Sequence, residues 1–202
     1  MMDFSALISS LKEKGYVVSA FENVVETAEY LDKSIDKKSV GIGGSMTIEQ
    51  MGLYEKLDLH NTVYWHHRIP NGETSASVRE KAKNTDVYIS SVNAITKEGE
   101  IVNIDNVCNR VASITYGHEK VYLIIGKNKI EDNFEKALWR ARNIASPKNA
   151  QRLKLNTPCA IKADRCYNCK SEDRICRGLS VLWLCPKTAN IEIVLVNEDL
   201  GY

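Results

Sequence analysis

Apolar residues recur at helical spacing at the start of the chain: Phe4, Leu7, Ile8 and Leu11, with Gly15 placed to end the helix. Val24, Val25, Ala28 and Leu31 mark a second helix, and Ile48, Met51 and Leu53 the buried side of a third over residues 46–57. Between them fall short apolar runs, at 16–18, 39–42, 62–65, 86–90 and 100–104, which read as strands. The run 121–125 is continuously apolar and closed by Gly126, the pattern of a strand buried on both faces. Further helices are predicted over 74–83, 106–116 and 130–144. Strands that alternate with helices predict an α/β fold: a mostly parallel sheet flanked by helices on both faces. From 157 to 178 the periodicity lapses into a polar, cysteine-rich segment. Residues 179–184 and 191–196 then read as two strands whose connection, 185–190, fits a hairpin. The expected organisation is a single α/β domain over 1–202 that contains this segment.

Composition narrows the function classes. The chain has 202 residues, 44% of them apolar and 26% charged, with a formal net charge of +1. No basic excess exists to neutralise a nucleic-acid backbone, so no nucleic-acid partner is expected. No apolar run approaches the roughly 20 residues that span a bilayer, and the first residues lack the layout of a signal peptide. No membrane association is expected, and the default location is the reducing cytoplasm. There, six cysteines are metal ligands, catalytic groups or core residues rather than disulfides.

Candidate chemistry gathers at predicted strand ends. Gly43, Gly44 and Ser45 sit where strand 39–42 should meet a helix. Glycine permits tight turning and close ligand approach. The unpaired N–H groups of a helix start suit a phosphate or carboxylate, and Ser45 or Thr47 can cap that helix or donate to the anion. The loop has neither the dinucleotide fingerprint nor the P-loop ending. Its plainer reading is a turn with an ordinary cap. Ser90, Ser91 and Asn93 follow one strand, and Asn103, Asp105, Asn106, Asn109 and Arg110 follow or flank the next. Asp105 suits a general base or a helix cap. Arg110 suits an anion clamp or a structural partner for Asp105. Lys127 and Lys129 can reach an anion from the end of 121–125, although an exposed loop lysine is the commoner case. His66 and His67, read as strand residues, point to opposite faces and make a poor metal pair. His118 reads as solvated in a turn, and Arg140, Arg142, Lys148, Arg152 and Lys154 as a solvated basic face.

Cys159, Cys166, Cys169 and Cys176 give the spacing C-x6-C-x2-C-x6-C. Four thiolates in a short polar segment suit zinc or an iron–sulfur cluster. The spacing matches neither a zinc ribbon with two knuckles nor the usual ferredoxin patterns. Arg165, Arg174 and Arg177 would offset the thiolate charge. Cys108 and Cys185 read as core residues.

Several of these stretches also resemble a known family. Gly41-Ile-Gly-Gly-Ser45, Ser91-Val-Asn-Ala-Ile-Thr96, Ile104-Asp-Asn with Asn109-Arg110, and Ile124-Ile-Gly-Lys-Asn-Lys129 are together similar to the lactate-utilisation (LUD) domain family. The closing residues 196–202 resemble its cysteine-bearing branch. The family lies in the superfamily of ribose-5-phosphate isomerase, glucosamine-6-phosphate deaminase and the coenzyme A transferases. The resemblance implies an isomerase/CoA transferase-like fold. It carries over Ser45, Asn109 and Arg110 directly; together with the strand-end reading of Gly43, Gly44, Asn93 and Lys129, it makes a small anionic ligand (a carboxylate, a nucleotide or a CoA-like group) the expected partner. It implies an accessory role in oxidation of lactate or a related hydroxy acid, beside iron–sulfur oxidoreductase partners, and so favours a cluster over zinc. The alternative is a stand-alone enzyme on a phosphorylated or activated substrate, with Asp105 as base. The acid of the isomerases falls at Asn93, which is no efficient proton-transfer base, and no glutamate stands as the transferases' nucleophile. Neither of those activities carries over.

Overall fold

The computed structural model describes residues 2–202. Among them the apolar runs become ten strands: β1 (Val17–Phe21), β2 (Ser39–Ile42), β3 (Thr62–Trp65), β4 (Val87–Ser90), β5 (Ala94–Thr96), β6 (Ile101–Asp105), β7 (Lys120–Gly126), β8 (Ile130–Glu131), β9 (Gly178–Leu182) and β10 (Ile191–Val196). Six of them form an all-parallel sheet in the order β1-β10-β7-β4-β2-β3. The fold is therefore α/β, with helices flanking a parallel sheet. As the patterning predicts, β2, β4 and β7 lie side by side with their carboxyl ends on one edge.

The helices are α1 (Ser5–Glu13), α2 (Val24–Ser34), α3 (Met46–Met51), α4 (Leu53–Leu57), α5 (Ser75–Ala82), α6 (Asn109–Thr115), α7 (Phe134–Arg140), α8 (Ser146–Arg152) and α9 (Pro158–Lys162). One face of the sheet packs Ile42, Ile89 and Ile124 against Leu31 of α2, Ile48 of α3 and Leu57 of α4. The other face packs Tyr88, Leu123 and Leu195 against Leu7 and Leu11 of α1 and against Ile95 and Ile101 of the second sheet. Full burial of each such side chain stabilises the fold by about 1.5–3 kcal/mol. The helix expected over 46–57 breaks at Gly52, whose φ of 60° is a left-handed conformation that glycine adopts without strain.

The expected C-terminal hairpin does not form. β10 lies inside the parallel sheet, between β1 and β7, while β9 pairs antiparallel with β6 in a smaller sheet of order β8-β5-β6-β9. The reason is in the side chains. Every residue of β10 is buried, as a central strand requires, whereas β9 is half-exposed and suits an edge.

The helix expected over 130–144 starts later, at Phe134 behind the Asn133 cap, and continues to Arg152 through a π turn, Ala141–Ala145, which joins α7 to α8. Pro147 explains the widening. It has no N–H to give the carbonyl four residues earlier, and its ring crowds that carbonyl. The Ser146 N–H bonds the Ala141 carbonyl instead, and the Ser146 hydroxyl donates to the same oxygen at 2.8 Å. No helix among the described residues is long and apolar enough to cross a membrane.

Candidate functional site at the strand ends

A cleft of about 420 Å³ opens where the carboxyl ends of the parallel strands meet the second sheet. Open parallel sheets bind ligands at this edge. One wall is the loop after β2. The Gly43 N–H donates to the Ile89 carbonyl at 2.9 Å, and the indole N–H of Trp65 donates to the Gly43 carbonyl at 3.1 Å, so both neighbouring strands hold the loop. A Cβ on Gly43 would lie 2.8 Å from Ser90 Oγ and 2.9 Å from the Tyr88 hydroxyl, which makes glycine a packing requirement there. Ser45 caps α3, its Oγ accepting the Ile48 N–H. Gly44 faces the cleft, and a Cβ there would stand 3.2 Å from His66 Nε2.

The floor is basic. Arg110 is buried and donates to the carbonyls of Ser91 (3.0 Å) and Ile104 (2.8 Å) and to the side-chain oxygens of Asn103 (2.6 Å) and Asn93 (3.1 Å). Asn93 Oδ1 also accepts the Ile104 N–H. Arg110 thus knits β4, β5 and β6 together and leaves little of its guanidinium for a ligand. Arg140, also buried, donates to the carbonyls of Asn128 and Asn93. Lys129, 3% exposed, donates to Thr47 Oγ1 at 2.9 Å and Ser91 Oγ at 2.8 Å. Burial first, then the nearby Arg140 and Arg110, push its pKa well below that of an ordinary lysine.

Of the two roles open to Asp105, the geometry fills the cap. One carboxylate oxygen accepts the N–H groups of Asn106 and Cys108, and the other accepts that of Val111 and stands 3.7 Å from Arg110 Nε. Asn109 lines the wall beside it.

Several residues occupy places the sequence did not predict. His66 and His67 both line the cleft, because the strand ends at Trp65 and alternation ends with it. Burial lowers both histidines. His66 falls to about 4, with His67 and Arg79 adding to the effect, and stays neutral at pH 7. Arg79 and Arg152 stand at the cleft with Asn149 and Tyr202. The supposed solvated basic face therefore supplies a floor residue, Arg140, and a cleft residue, Arg152. The available signal was topological: if β3 is parallel, its carboxyl end opens on the ligand edge. His118 is buried rather than solvated, its Nδ1 2.7 Å from the Thr85 carbonyl and its ring stacked on Tyr88 at 4.9 Å. Cys108 is exposed, at φ 61° in the turn before α6, rather than in the core; Cys185 packs against the core from a half-buried position.

The four cysteines of the C-terminal segment have the donors of a metal site but not its convergence. Cys166 Sγ accepts the Asn168 N–H at 3.3 Å, with Asn168 in a left-handed conformation, and faces Arg142 Nη2 at 3.8 Å. Cys176 Sγ accepts from Arg174 Nε at 3.1 Å, and the Cys169 carbonyl accepts from Arg174 Nη1. Cys159 Sγ lies 3.3 Å from Thr157 Oγ1. Among the described residues no three His, Cys, Asp or Glu side chains come together as metal ligands would.

The model of the LUD domain matches residues 5–196. The chain belongs to the LUD domain family. The crystal structure of a DUF162 family protein from Deinococcus radiodurans resembles this LUD protein with a TM-score of 0.51 at 7% identity, over 97% of this chain and 99% of that one. At that identity the likeness speaks for the fold alone. No curated protein matches the sequence. Membership of the LUD family points to lactate utilisation as the general setting.

Proposed function

We propose that this protein serves the oxidation of lactate or a related hydroxy acid by binding a small carboxylate-bearing ligand in the strand-end cleft. The supporting observation is an imbalance of charge. Arg79, Arg110 and Arg152 line the cleft against the one carboxylate of Asp105, which is already bonded. Arg79 donates to Ser75 and Arg152 to Asn149, both neutral, so their charge is free for a ligand. An anion entering a recess of low dielectric is attracted more strongly than in water. Gly44 and Ser45 give it backbone to approach, and Asn93 and Asn109 give it polar side chains. Calorimetric titration with lactate, pyruvate, phosphate and acetyl-coenzyme A tests the reading. Binding of at least one carboxylate, weakened by salt and by Arg152→Met and absent for lactamide, supports it. Equal binding of lactate and lactamide overturns it.

The cysteine segment suggests a second, redox element. The knuckle-like N–H to sulfur bond at Cys166 and the arginines on Cys166 and Cys176 suit thiolates that bind metal. Cys159, Cys166, Cys169 and Cys176 would hold an iron–sulfur cluster or zinc once segment 163–177 closes. A cluster would supply one-electron transfer towards oxidoreductase partners; zinc would supply structure alone. Metal analysis and the absorption spectrum of anaerobically purified protein decide the matter. Stoichiometric metal lost in Cys169→Ser supports the reading. Metal-free protein with all four thiols open to alkylation and an unchanged melting temperature overturns it.

A further inference from the structure

Lys129 is unlike the other cations of the cleft. It is almost wholly buried, its amine contacts two hydroxyls, and no carboxylate of the described residues pairs with it. A lysine used only to hold an anion stays charged, and a buried charge needs compensation. Here its neighbours are further cations, Arg110 and Arg140, fixed by four and two hydrogen bonds to neutral acceptors; the carboxylates of Asp105 and Glu131 each lie 3.7 Å from one of these arginines and pair with it rather than with Lys129. Burial beside fixed guanidinium groups is the setting in which a lysine sheds its proton and becomes a nucleophile. The shift of its pKa well below the ordinary value runs the same way. Thr47 and Ser91 are themselves 3.3 Å apart, so the amine sits between two hydroxyls able to relay a proton.

We infer that Lys129 is a carbonyl-capturing amine whose substrate class is the 2-oxo acids, the carboxylate lying with the cleft's arginines and the keto carbon against Nζ. The inference rests on the anionic-ligand reading of the same cleft. The neutral amine attacks the keto carbon, forming the N–C bond as the carbonyl π pair moves to oxygen. A proton passes from nitrogen to that oxygen, by way of Ser91 Oγ, to give a carbinolamine. The hydroxyl then leaves as water, taking one proton, while the nitrogen lone pair closes the C=N bond. Carbonyl and amine thus become imine and water, with no change of oxidation state.

The test is reductive trapping on the full chain near pH 7. Protein incubated with pyruvate and cyanoborohydride should gain one adduct per chain, mapped by peptide mass spectrometry to Lys129. The adduct should be absent with lactate, which has no carbonyl, and in Lys129→Met. Melting curves with pyruvate are recorded in parallel. If pyruvate stabilises the protein but the adduct is missing, or falls only on exposed lysines, the amine chemistry is wrong and the anion reading stands. If pyruvate neither stabilises the protein nor leaves an adduct on Lys129, while lactate or phosphate still binds, the 2-oxo acid inference is overturned alone. If no anion binds, both fall.

Discussion

Arginine is used in opposite ways in the two regions that carry this protein's chemistry. On the cleft floor Arg110 and Arg140 are buried, and they bond to carbonyls and amide oxygens brought in by separate strands and loops. In the cysteine segment Arg174 and Arg177 bond to sulfur and carbonyl groups within a few residues of themselves. The floor is fixed by the core on either side of it. The segment is fixed largely by itself, with few buried apolar side chains, and belongs to the low-stability end of the fold. A rigid floor suits a site that must hold a ligand in one geometry. A loosely held segment suits one that takes its final form around something else.

The largest break in this contrast should come from Arg110→Met, which takes a donor from four buried or half-buried acceptors: Asn93 Oδ1 keeps the Ile104 N–H and the Ser91 carbonyl keeps the Ser90 hydroxyl, while Asn103 Oδ1 and the Ile104 carbonyl lose the guanidinium that held them. At about 1–3 kcal/mol for each one left without a donor, a loss of about 3 kcal/mol or more is expected in urea denaturation. Arg174→Met should cost less than about 1 kcal/mol, as for exposed polar contacts. Equal losses would erase the distinction. Next in size is Gly43→Ala. The new methyl must displace Ser90, the Tyr88 hydroxyl or the loop, at an overpacking cost of about 1–3 kcal/mol. Lys129→Met should do the reverse and leave stability unchanged or raise it by about 1 kcal/mol while abolishing pyruvate-dependent effects. It removes a buried amine, and Thr47 and Ser91 can then bond each other. A large loss of stability there would show Lys129 to be a structural member like Arg110. The smallest effect is the pH dependence contributed by His66. Its folded pKa lies below that of a free histidine, so the folded state resists protonation. Its contribution is complete above pH 6.5 and fades as the pH falls from there towards about 4. A Tm profile that His66→Asn leaves unchanged over that window would place the ring in water.

Much of the sheet was legible from the pattern of apolar residues. The runs ending at Ile42, Ser90 and Ile125 carry their burial in their composition, and Gly43, Ser91 and Gly126 mark where they stop. The cleft was legible where residues lie close in sequence to those ends, as for Gly44, Asn93 and Lys129. It was illegible where a cleft residue comes from a helix read as exposed. Arg152 looks solvated until the course of its helix over the site is known, and Arg140 looks exposed until the carbonyls of Asn93 and Asn128 are placed beside it. β9 and β10 misled for a related reason. They follow each other in the chain, which favours pairing, but pairing obeys burial, and only one of them is buried on both faces.

The π turn between α7 and α8 sets an angle. In a regular α-helix each residue advances about 100°, so Arg152 would point about 120° away from the direction of Arg140. A π turn takes in one more residue than an α turn without advancing the face, which reduces the offset to about 20°. Arg152 then faces the cleft from the same side of the rod on which Arg140 holds the Asn93 carbonyl beside it. Pro147 therefore acts as an indexing pin: it fixes where the helix miscounts, and through that which side chains share an azimuth. Deleting one residue within 141–145 would restore even winding and leave both arginines on one face, whereas winding the same residues as a regular α-helix, with Pro147→Ala, would swing one of them about 100° away from the ligand edge.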